Sequence, residues 1–77
     1  MISTREHNMT TTARLGKKTL TITVDSNRKV SAVDARGNVY LGDGMAASDG
    51  CADVNLYRFG VELVGRLIVD KDRAYFA

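Results

Sequence analysis

Residues 18–42, KTLTITVDSNRKVSAVDARGNVYLG, decide the fold. Leu20, Ile22 and Val24 alternate with Thr19, Thr21 and Thr23, the period-two pattern of a half-buried strand rich in β-branched residues. A Val-Asp pair then opens a turn twice, at Val24-Asp25 and Val33-Asp34. An aspartate in that position accepts hydrogen bonds from backbone amides a few residues on and so closes the turn. In the second turn Gly37 stands third in the loop Ala35-Arg36-Gly37, where a type I turn with a G1 bulge needs a left-handed residue. That loop sets Asp34 opposite Asn38 and Val33 opposite Val39. The first turn has no glycine, and it reads as a two-residue loop, Ser26-Asn27, with Asp25 opposite Arg28 and Val24 opposite Lys29. The two registers together put Leu20, Ile22, Val24, Val33, Val39 and Leu41 on one face, the expected core.

Downstream, residues 42–53 (GDGMAASDGCAD) break the alternation with glycines and aspartates. From Tyr57 to Val69 every odd position except Gly65 is apolar, which predicts one long strand bent at Gly60 or Gly65. A rival reading places one short helix within 49–59, N-capped by Asp49 and ended by Gly60. A third Val-Asp pair, Val69-Asp70, opens a two-residue loop, Lys71-Asp72, setting Leu67 opposite Phe76 and Ile68 opposite Tyr75. The expected fold is mainly β: a small antiparallel sheet or partly closed barrel of about five strands, near 18–25, 29–34, 38–42, 55–69 and 73–77. It becomes α+β if the helix forms. Tyr57, Phe59, Val61, Leu63, Leu67, Val69 and Phe76 complete the expected core.

Upstream, residues 1–16 show neither period and read as a flexible tail, with Met9 as well as Met1 fit to start the chain. Residues 17–77 form a single small domain. Seventy-seven residues bury only about 60% of the surface the unfolded chain exposes, a thin core. Cys51 is the lone cysteine, which fits a reducing, cytoplasmic setting. The residues show neither a secretory leader nor an apolar run of the ~20 residues that cross a bilayer, so no membrane role is expected. The net charge of +2 is unevenly spread: residues 1–30 carry six basic and two acidic side chains, and residues 31–53 carry one basic and four acidic.

The chemistry is sparse. A thiol–imidazole pair would have to join Cys51 to His7 in the tail. Asp43, Asp49 and Asp53 match no calcium-loop spacing, and one Cys with one His cannot build a zinc site in one chain. Gly42, Gly44 and Gly50 fit no phosphate-cradling pattern. No catalytic residue, metal or cofactor is therefore expected. Two non-enzymatic readings remain. Val64, Ile68 and Tyr75 point away from the expected core, joined by Val30 and Tyr40, and mark a protein-binding face. The protein is then a small accessory, regulatory or inhibitory module that pairs with another protein and with itself as a homodimer. In the alternative, Arg14, Lys17, Lys18, Arg28 and Lys29 contact nucleic acid, with bases stacking on tyrosine.

Overall fold

A computed structural model describes residues 9–77. They form one antiparallel sheet of seven strands: β1 (Met9–Leu15), β2 (Lys18–Val24), β3 (Lys29–Val33), β4 (Val39–Met45), β5 (Ala52–Arg58), β6 (Glu62–Asp70) and β7 (Arg73–Phe76). Spatial order equals chain order, so every connection is a hairpin, and the sheet curls until β1 and β7 nearly close a barrel. At the seam the Thr11 hydroxyl donates to the Asp72 carbonyl oxygen at 3.0 Å.

The expected β class holds, and five strands become seven for two reasons. Residues 9–15, assigned above to a tail, pair along their whole length with β2, from Met9 opposite Val24 to Leu15 opposite Lys18. Residues 1–8 of that tail, including His7, lie outside the described residues. The long strand over 55–69 is a hairpin, β5–β6, turning through Phe59-Gly60-Val61. Phe59 and Gly60 both take positive φ, +56° and +75°, which reverses the chain where the alternation alone predicted a bend. There is no helix within 49–59: the Asp49 carboxylate accepts the Cys51 amide in a tight loop, and β5 begins at Ala52.

One turn motif recurs three times. The Asp34 amide bonds to the Asn38 carbonyl and the Gly37 amide to the Asp34 carbonyl, as Gly37 requires. The same pair of bonds joins Asp25 to Lys29 with Arg28, and Ala47 to Cys51 with Gly50. In each loop the third residue is left-handed: Gly37 at φ +87°, Gly50 at +90°, and Arg28 at +66°. The first turn therefore has a three-residue loop, Ser26-Asn27-Arg28, and not the two-residue loop expected. Val24 pairs with Val30 and Ile22 with Ala32. Because side chains alternate, that one-residue slip reverses the faces of β3 and β4. Val30, Ala32 and Tyr40 point in. Val33, Val39 and Leu41, assigned above to the core, point out.

The barrel interior holds Ala13, Leu20, Ile22, Val24, Val30, Ala32, Tyr40, Val54, Leu56, Leu67 and Val69, all buried. Tyr40 fills one end, and glycines make room elsewhere. A Cβ on Gly42 would lie 3.0 Å from the Val30 carbonyl oxygen, and one on Gly65 would lie 2.9 Å from Phe76 Cδ1. A bulge adds one residue to β6: Leu56 opposes Gly65 while Tyr57 opposes Leu63, which leaves Val64 extra. Parity changes there. Odd positions face out before the bulge, at Tyr57 and Leu63, and in after it, at Leu67 and Val69.

Candidate protein interface

The reversed faces build a surface from the outward residues of four neighbouring strands. Val33 of β3 pairs with Val39 of β4. Leu41 of β4 sits between Ser31 of β3 and Tyr57 of β5, and Tyr57 in turn opposes Leu63 of β6. Phe59 and Val61 extend this face at the hairpin tip. Of the eight large apolar side chains left exposed among the described residues, six lie here: Val33, Val39, Leu41, Phe59, Val61 and Leu63. Val61 is 81% and Phe59 72% exposed. With half-buried Tyr57 the patch presents on the order of 600 Å² of mostly apolar surface, the top of the range (about 300–600 Å²) for the largest patch on a monomer. A cleft of about 330 Å³ opens within it between Val39, Leu41 and Phe59, bounded by Gly37, Asn38 and Gly60.

Several polar groups around this face are already paired. Arg58 donates to Glu62 Oε1 through Nη2 at 2.6 Å and Nε at 3.0 Å, and its guanidinium stands 5.6 Å from the centre of the Phe59 ring. That carboxylate bond pushes the Arg58 pKa further up. Asp43 accepts the Asn55 amide at 2.9 Å and its side-chain nitrogen at 3.1 Å, tying β4 to β5. Asp34 anchors the β3–β4 turn. Its Oδ1 accepts the amides of Arg36 and Asn38, and its Oδ2 accepts Asn38 Nδ2 and the buried Tyr40 hydroxyl, all at 2.9–3.0 Å. The Asn38 side-chain bond leads in holding the Asp34 carboxyl down at about 2. Burial, then the bond to Asp34, raises the Tyr40 phenol.

The residues expected at an interface divide. Ile68 and Tyr75 do point out and pair across β6 and β7, beside a shallow cleft with Met45. Val64, the bulge residue, packs half-buried against the core. Tyr40 is 1% and Val30 3% exposed, so neither can meet a partner: the register of the first turn carries both inside. For the nucleic-acid alternative, Arg14, Lys17 and Lys18 lie toward one end of β2, and Arg28 and Lys29 lie at the other. The outward row between them is Thr19, Thr21 and Thr23, and Tyr40 is not available for stacking.

Cys51 is half-buried, with Sγ 3.7 Å from Asp70 Oδ1. Asp53 is paired with Arg66 at 2.6 Å, and that hydrogen bond lowers its pKa. Among the described residues no three His, Cys, Asp or Glu side chains gather as a metal set, and no helix is long and apolar enough to cross a membrane. In comparisons with known proteins, no family model matches this chain, and neither a curated protein nor a solved structure is similar to it.

Proposed function

We propose that this protein is a non-enzymatic protein-binding module, a small accessory, regulatory or inhibitory protein of the cytoplasm that works by covering a partner's surface. The observation that supports this reading is the apolar outer face of β3–β6. Water-exposed sheet faces carry polar residues, as the threonine rows of β1 and β2 do here. This face instead sets Val33, Val39, Leu41, Tyr57 and Leu63 side by side. Burying them against another protein removes their contact with water, at roughly 25 cal/mol per Å². The polar groups described above support the reading from the other side. Asp34, Asp43, Asp53, Arg58 and Arg66 are committed to turns and strand-to-strand bonds, which suits a scaffold better than a reaction centre. The lone thiol of Cys51 fits a reducing cytoplasm.

The test is photo-crosslinking in the native host, with a benzophenone amino acid placed at Leu41, at Leu63 or at Thr12. Leu41 and Leu63 should give discrete protein adducts, and Thr12, on the polar outer side of β1, should give none. Adducts of equal yield at all three positions, or none at Leu41 and Leu63, would refute the reading.

A further inference from the structure

We infer that the occupant of this face is a second copy of the same chain, bound about a twofold axis. The inference rests on the reading that the face binds protein, and it adds the partner. Its first support is size. About 600 Å² from each copy gives about 1,200 Å² in total, the lower limit of a specific, stable interface.

The second support is charge. The face is close to neutral: Arg58 is neutralised by Glu62, and its outer rows carry a further cation, Lys29, and a further anion, Asp43, which is hydrogen-bonded to Asn55. Two copies meeting through β1 and β2 would set Arg14, Lys17 and Lys18 against their like, and among the described residues none of the three has an ion-pair partner. Like charges brought together across an interface are strongly disfavoured. Of the two, the β3–β6 face is the one that sets fewer like charges against each other.

The third support is shape. In a twofold contact, residue i of one copy meets residue j of the other and j meets i, so both halves must lie on one surface. They do. The hairpin tip projects Val61, and beside it lies the cleft between Val39, Leu41 and Phe59. Stacked sheets sit about 10 Å apart, and a twofold axis passing between tip and cleft would set each tip over the cleft of the other copy.

Sedimentation equilibrium from about 1 to 300 µM tests this. A monomer–dimer equilibrium with a dissociation constant on the order of 10 µM is expected for an interface at the lower size limit. Val61→Asp and Leu41→Lys should each weaken it by about 30-fold or more, as apolar anchors that fill a pocket on the partner do. Both sites are exposed in the single chain, so circular dichroism, and Tm measured below about 1 µM where the chain is monomeric, should be unchanged. Should one variant lose its fold, the other reads the same contact. Mixed in equal amounts, the two variants should recover about tenfold or more of the lost affinity, because the new carboxylate of one chain meets the new ammonium of the other. A wild-type chain still monomeric at 300 µM would overturn the inference, as would a dimer indifferent to both substitutions. If the chain is monomeric and crosslinks at Leu41 hold a different protein, this inference falls while the binding reading stands. If Leu41 and Leu63 give no adduct at all, both fall.

Discussion

Replacing Arg28 with glycine should stabilise this protein, and the sign of the effect tests the register on which the fold depends. Arg28 is the third loop residue between Asp25 and Lys29, at φ +66°. The equivalent positions in the two sister turns hold Gly37 and Gly50. A left-handed conformation costs a side-chain-bearing residue about 1–2 kcal/mol, because Cβ crowds the following carbonyl. Glycine escapes that cost but raises the entropy of the unfolded chain, returning about 0.5–1 kcal/mol. The net gain is about 0.5–1 kcal/mol. A domain of this size gains about 4–8 °C per kcal/mol, so Tm should rise by about 2–8 °C. The Arg28 side chain is exposed and makes no ion pair among the described residues, so nothing else is lost. Thermal unfolding followed by circular dichroism at neutral pH is the assay. With a two-residue loop Arg28 would be an ordinary strand residue opposite Asp25, and glycine there would lower stability by about 0.5–1 kcal/mol. A fall in Tm would therefore refute the three-residue turn and the face assignment built on it.

Further outcomes follow from the Asp34 anchor. Tyr40→Phe removes one of the donors to its Oδ2 inside the barrel, at an expected cost of about 1–2 kcal/mol in urea unfolding; an unchanged midpoint would show that this bond contributes nothing. The Asp34 carboxyl, ordinarily at 3.8, sits at about 2 in the folded chain, so the unfolded chain takes up its proton first as the pH falls. Its contribution to stability is complete above about pH 4, falls between there and about pH 2, and is absent below. Asp34→Asn should therefore give a flatter Tm profile over that window than the wild type, and parallel profiles would contradict the assignment.

The parts of the fold that were legible in the sequence had a residue that forces the backbone. Gly37 fixed the β3–β4 loop, and the alternation around Leu20, Ile22 and Val24 fixed the buried face of β2. The third Val-Asp turn was legible too, with Ile68 opposite Tyr75 and Leu67 opposite Phe76. The failures have local causes. The first turn needs a left-handed residue and uses Arg28, whose side chain carries no sign of that role. One missed loop residue then inverted β3 and β4, placing Val33, Val39 and Leu41 in the core and Val30 and Tyr40 on the surface. The β5–β6 hairpin was hidden because its apolar alternation runs unbroken through Phe59 and Val61. Its spacing reads as core because nothing in it tells an apolar outer face from an inner one. The extra residue at Val64 lay behind Gly65 in an unremarkable run and changed parity midway. The same parity rule therefore suits Leu67 and Val69, which are buried, and fails for Leu63, which is exposed. The candidate interface was the least legible part, since it exists only as the product of the turn and the bulge.

The most direct test of the face assignment compares two adjacent residues of β3. Ala32 points into the barrel at 4% exposure and Val33 points out at 37%. In a Cys51→Ser background, Ala32→Cys and Val33→Cys should be labelled with a thiol reagent below 1 µM protein, under the concentration at which copies are expected to pair. The cysteine at position 33 should react at nearly the rate of an unfolded control. The cysteine at position 32 should be slower by about 100-fold or more, limited by opening of the barrel. The opposite order, with position 32 fast and position 33 protected, would contradict the register, and with it the outer face of β3–β6.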